Sequence, residues 1–159
     1  MRRHEHEEPL LVAEILRDTG DWRIAFGATY TVDGDYRERI EDAYAGAWEW
    51  LGHVDGGEEL RKSWFSATTP VSLMTLESPL TGIDSETRVG YVELRFDLDE
   101  YGVPDDVEVI DAFPAGLMER EAIRHVRQSR FRPNMADGKL VASTHSITFE
   151  FEFAVESED

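Results

Sequence analysis

Apolar positions along the chain change their period once. From residue 9 to 65 they recur every three or four residues, as on one face of a helix. From residue 88 to 155 they largely alternate with polar ones, as in a strand with one buried face. In the first region the spacing predicts helices over 9–18, 21–32 and 35–51, and a shorter one over 57–66. Pro9 suits a first helical turn, Thr19-Gly20 reads as the stop between the first two helices, and Asp33-Gly34 as a turn. The third helix has the cleanest stripe, Tyr36, Ile40, Tyr44, Ala47, Trp48 and Leu51, and Asp35 with Glu38 has the spacing of a capping box. Trp22, Tyr30, Tyr36, Tyr44, Trp48 and Trp64 are expected in the core of these helices. In the second region Val92, Leu94, Phe96 and Leu98 alternate with Tyr91, Glu93, Arg95 and Asp97. A turn at 99–102 leads to a shorter strand over 106–111 with Val107 and Val109, which predicts a hairpin. An amphipathic helix over 117–129 turns Met118, Ala122, Ile123 and Val126 inward. In a last strand Ile147, Phe149, Phe151, Phe153 and Val155 alternate with Ser146, Thr148, Glu150 and Glu152. The expected organisation is therefore α+β: a helical segment over 9–66, a linker over 67–87 containing Pro70, Pro79 and Gly82, and a strand–strand–helix–strand domain over 88–155.

Composition narrows the function classes. With 159 residues, 41% of them hydrophobic, the chain can bury a core without covalent staples. It has no cysteine, which removes disulfides, thiolate metal sites and cysteine nucleophiles. Its net charge is −18 and both halves are acidic, so a nucleic-acid backbone or an anionic membrane surface would be repelled. The most apolar early run, from Leu10 to Leu16, is interrupted by Glu14 and falls far short of the roughly 20 residues of a membrane span. It does not read as a signal peptide either.

Candidate chemistry is sparse. The carboxylate pairs Asp97/Asp99 and Asp105/Asp106 lie beside turns, where short acidic side chains bond local backbone, and are given no catalytic role. Ser143-Thr144-His145-Ser146 lacks the geometry-setting glycines of a nucleophile elbow, and no glycine-rich phosphate loop is present. His4 and His6 read as part of a frayed terminus, and His53, His125 and His145 have no ligand-like spacing. The expectation is a protein without enzymatic activity, cofactor, metal or small-molecule substrate. Arg120, Arg124 and Arg127 form a cationic stripe at helical spacing. It is read either as a surface for an acidic partner or as charges that offset the helix dipole, with Glu121 pairing to Arg124.

Two resemblances add to this reading. The run from Ala25 to Tyr36, with its Gly34-Asp35-Tyr36 turn and the Tyr44 helix beyond, resembles one tetratricopeptide unit. Arg39 and Asp42 depart from that pattern. Either more repeats precede it in a parent protein or it is a generic helical hairpin. The second half resembles the TonB C-terminal domain over 88–155. The matching features are Gly90 opening a strand, Asp99 and Gly102 at the hairpin turn, Pro114 before a helix, and Arg130-Phe131-Arg132-Pro133 before the last strand. Arg130, Phe131 and Pro133 stand for the family's aromatic-x-Pro segment, with Ser129 where that family has Trp.

The second resemblance implies a three-stranded antiparallel sheet and a periplasmic or envelope location. It implies binding to extended segments of outer-membrane active transporters by strand addition, in energy-coupled transport. The implied partner-binding edge is 143–153, with Ser143, His145, Ile147, Thr148, Phe149, Glu150, Phe151, Glu152 and Phe153. The family's force transducers also need a membrane anchor and a spacer. Coupling to inner-membrane motor proteins is thus expected only if this chain belongs to a longer anchored parent. The alternative reading is an envelope scaffolding or homodimerising module that works through its helical hairpin.

Overall fold

The computed structural model describes residues 4–30, 35–72 and 86–155; side chains are described for all of these except 4–7, 27–30 and 35. Helices α1 (His4–Tyr30), α2 (Asp35–Leu51) and α3 (Gly57–Phe65) come first, followed by the short strand β1 (Pro70–Ser72). Strands β2 (Glu86–Leu98) and β3 (Pro104–Phe113), helix α4 (Glu119–Gln128), β4 (Arg130–Phe131), β5 (Asn134–Ala136), β6 (Lys139–Val141) and β7 (Ser143–Val155) complete the chain. The α+β order matches the expectation, and β1 lies inside the stretch read as a linker.

One expected boundary is wrong. Thr19-Gly20 does not end a helix, because α1 runs through it for 27 residues. The Thr19 hydroxyl is satisfied inside the helix, donating to the Ile15 carbonyl at 2.7 Å. Gly20 is a packing residue: a Cβ there would lie 2.6 Å from the Tyr44 ring. The glycine lets α2 approach α1 rather than breaking the chain. The Asp33-Gly34 turn lies outside the described residues. A helix of 27 residues is also long for one half of a 34-residue, two-helix repeat.

The predicted stripe of α2 is buried as read, with Ile40, Tyr44, Ala47 and Leu51 in a core shared with Ala13, Ile24, Trp64 and Phe65. Trp22 is not part of it. It is 57% exposed, on a face of α1 that also shows Leu11, Ile15 and Phe26, while Ile24 points inward. Tyr30 lies among residues whose side chains are not described. A single-helix hydrophobic pattern that covers two faces cannot say which face finds a partner.

In the second half, β3, β2 and β7 form a three-stranded antiparallel sheet in that order, as the resemblance implies. Val92, Leu94, Phe96 and Leu98 of β2 are all buried, as their alternation predicts. They pack against Ala122 and Val126 of α4, Met118 just before it, and Phe131. Register pairs all 13 residues of β2 with β7, from Glu86 opposite Val155 to Leu98 opposite Ser143. The β2–β3 ladder shifts twice, leaving Ile110 and Asp106 as extra residues on β3.

Short elements tie the halves together. β1 pairs with β4, placing Pro70 opposite Phe131, and the Arg132 N–H donates to the Thr69 carbonyl. β5 and β6 form a hairpin through Asp137 and Gly138, whose φ values of 51° and 79° fit a primed turn. This hairpin inserts Met135 and Leu140 into the helical core. The β2–β3 turn docks on β4: Gly102 has φ 81°, and a Cβ there would stand 2.0 Å from the Phe131 carbonyl oxygen. The same backbone contact carries a hydrogen bond from the Phe131 N–H to the Gly102 carbonyl. Tyr101 in this turn reaches α2, donating to Glu41 at 3.0 Å while the Arg37 guanidinium lies over its ring.

At the centre of the junction Arg132 meets Asp21 of α1 in a bidentate pair, Nε to Oδ1 at 2.9 Å and Nη2 to Oδ2 at 2.7 Å. Arg132 also donates to the Trp64 carbonyl, and the Tyr44 hydroxyl donates to Asp21 Oδ1 at 2.7 Å. The two charged side chains are only 11% and 20% exposed. Burial, followed by the neighbouring Asp21 charge and hydrogen bond, pushes the Tyr44 phenol well above its ordinary range, so it stays a donor. Burial alone would lower the Arg132 pKa, but Asp21 outweighs it and the net shift is upward. Removing one partner leaves the other charge largely desolvated. Arg132→Met is therefore expected to destabilise by about 3 kcal/mol in urea unfolding, and Asp21→Asn combined with it to cost clearly less than the sum of the singles. Additive losses would show that the pair is not coupled.

Candidate functional site

The longest unpaired backbone among the described residues is one side of β7. Its 13 residues pair with β2 on one side, and no described strand lies on the other. In an antiparallel ladder successive residues direct their N–H and C=O groups to opposite sides, so about half of the β7 backbone groups face away from β2.

The two faces of β7 differ. On the face shared with Val92, Leu94 and Phe96 stand His145, Ile147, Phe149, Phe151 and Phe153. Phe151 and His145 are buried, whereas Ile147, Phe149 and Phe153 are half-buried. α4 packs chiefly on β3 and β2, and Ile147, Phe149 and Phe153 lie at the margin of the core it shares with Phe151. On the opposite face Thr148, Glu150 and Glu152 are exposed. Across the ladder they stand opposite Glu93, Tyr91 and Val89, and the Tyr91 hydroxyl donates to Asp111 of β3 at 2.7 Å. Thr144 donates to Asp97 at 3.0 Å. The cation of this face, Arg95, is opposite Ser146 and Glu108.

Other residues singled out from the sequence lie elsewhere. Phe131 is buried with its ring 5.0 Å from Phe96, and Pro133 is buried, so both are packing residues. Arg130 donates to the carbonyls of Arg127 and Ser129, closing the C-terminus of α4. Ser129, in the place of the family's Trp, is buried and donates its hydroxyl to the His125 carbonyl at 2.5 Å. Arg120, Arg124 and Arg127 are exposed on α4. Arg124 pairs with Glu121, and Arg127 lines a shallow cavity of 580 Å³ with Arg95, Asp97, Asp105, Asp106 and Glu108. The structure does not bring this stripe to the β7 edge. Asp99 acts as read, its carboxylate accepting from the backbone N–H groups of Tyr101 and Val103.

Sequence reasoning missed the role of His145. Its ring is stacked on Phe96, with Nδ1 2.7 Å from the Thr68 hydroxyl and Nε2 2.7 Å from the Ser143 hydroxyl. It joins the start of β7 to the segment after α3. The signal was its place in the apolar phase of the last strand. Burial lowers its pKa below the ordinary histidine value. The neutral ring is favoured in the fold, so the unfolded chain binds more protons once pH drops through about 6.5, the ordinary histidine value, and stability falls from there down to the folded-state pKa. Comparison of urea midpoints at pH 7.5 and pH 5.5 (about one unit either side) should show a loss in the wild type that is smaller in His145→Gln. An equal loss in both would remove His145 from the acid response.

Comparison with known proteins gives a family match over part of the chain. Residues 84–153 match the model of the Gram-negative bacterial TonB protein C-terminal family. No curated protein sequence matches the chain. Among solved structures, the solution NMR structure of the Pseudomonas aeruginosa TonB C-terminal domain is similar at 23% identity and a TM-score of 0.38, covering 59% of this chain and 92% of that one. None of these bears on the tetratricopeptide resemblance of α1 and α2. The part of the chain that matches the TonB C-terminal family thus runs from β2 into β7 and includes α4, while α1, α2, α3 and β1 lie outside that match.

Proposed function

We propose that this chain is a protein-interaction module of the Gram-negative periplasm whose β7 edge receives an extended segment of an outer-membrane active transporter, in energy-coupled transport. The observation that carries the reading is the edge of β7, which no other described strand pairs, inside the family match. Strand addition needs little more than such an edge, because backbone hydrogen bonds supply affinity and the alternation of side chains sets register. No described helix is long and apolar enough to cross a membrane.

A second reading rests on one separate observation. Leu11, Ile15, Trp22 and Phe26 leave an apolar stripe exposed along α1, with the Trp22 and Phe26 rings 5.8 Å apart. Such a stripe is uncommon on a surface that stays in water. It suits an envelope scaffold or homodimer held together through its helices.

Two measurements separate these readings. In amide NMR titrations with a synthetic transporter segment, shifts should concentrate on β7. Proline substitutions at Thr148 and at Phe149 should then behave differently. The one whose N–H faces the free edge should stay folded and lose binding, and the one facing β2 should destabilise the sheet. A folded edge-facing proline variant that binds as before would rule out strand addition. For the second reading, Trp22→Glu with Phe26→Glu should leave the thermal midpoint nearly unchanged, because both side chains are exposed, while weakening self-association in sedimentation equilibrium. A wild type that remains monomeric at millimolar concentration would exclude the homodimer.

A further inference from the structure

The β7 edge carries information about the sequence of its partner, beyond the fact of pairing. A strand added there runs about 4.8 Å from β7, with its side chains on the same two faces and about 5 Å from their nearest β7 neighbours. On one face it meets Ile147, Phe149 and Phe153, which are half-buried at the margin of the core. On the other face it meets exposed Glu150 and Glu152. Diagonal to Glu150 on the same face, opposite Thr148, stands Glu93 with Asp111 beyond it on β3, and the cation Arg95 lies towards the far end, opposite Ser146. An apolar side chain on the first face would bury more of these half-exposed side chains. A carboxylate on the second face would add to a row of like charges, whereas a lysine or arginine would pair with it.

We infer that β7 selects an extended partner segment in which apolar residues alternate with lysine or arginine, the cations falling beside Glu150 and Glu152. This rests on the strand-addition reading and adds a partner chemistry to it. A second copy of this chain fits poorly. It carries a net charge of −18, and β7-to-β7 pairing would put two further glutamates on an already acidic face.

The test uses the full isotope-labelled chain and four synthetic eight-residue peptides. Three share the same apolar positions and carry Lys, Thr or Glu at the alternate ones. The fourth has the composition of the Lys peptide with the alternation scrambled. The Lys peptide should shift β7 amides and bind at least about tenfold more tightly than the Glu peptide, a preference that shrinks in about 1 M salt, where the Debye length is about 3 Å. Glu150→Gln with Glu152→Gln should remove most of that preference, bringing the affinities of the Lys and Glu peptides together. Equal binding of the Lys, Thr and Glu peptides at β7 would overturn the charge selection and leave strand addition standing. A scrambled peptide that binds as well as the alternating one would reduce the effect to general attraction by an acidic chain and overturn the inference. Absence of β7 shifts with every peptide would overturn both readings.

Discussion

The junction between Asp21 and Arg132 is the constraint on which the arrangement of the molecule depends. Two opposite charges are held nearly out of water, and each is tolerated there only because the other is present with supporting hydrogen bonds. The planar guanidinium spans both carboxylate oxygens, so the contact fixes orientation as well as distance. Arg132 follows β4 directly, and Asp21 sits next to the glycine that lets Tyr44 close on α1. One ion pair thereby sets the position of α1, α2, α3 and the segment after α4 together.

That junction also determines what remains uncovered. The helices meet the second half through β1, β4, the β5–β6 hairpin and the β2–β3 turn. α4 packs chiefly on β3 and β2. Apart from the Thr68–His145 contact at its beginning, β7 is left with a partner on one side only among the described residues. The exposed glutamates along it are consistent with an edge guarded against indiscriminate pairing while its backbone stays accessible. The free edge and its protection come from the same strand.

Much of this was legible along the chain. The strict alternation of β2 and β7 marked their buried faces, because a period of two has one solution on a pleated strand. The α2 stripe was equally plain, and so was the hairpin turn at Asp99 and Gly102. The β5–β6 hairpin was readable in principle from Asp137-Gly138 between two short segments. By contrast, Thr19-Gly20 misled: a glycine that terminates a helix and a glycine that admits a neighbouring ring have the same local sequence.

By itself, the sequence determined the elements whose side chains repeat at a fixed period, together with the absence of thiol chemistry and the strongly acidic charge. Tertiary structure alone decided that Asp21 finds Arg132, 111 positions away, because nothing local to either residue marks one charge among 50 for burial. It also decided that Ile24 rather than Trp22 faces inward on α1. Periodicity records which side of an element is apolar. Which neighbour covers that side, and which strand is left without one, is fixed only when all the elements compete for the same limited contact surface.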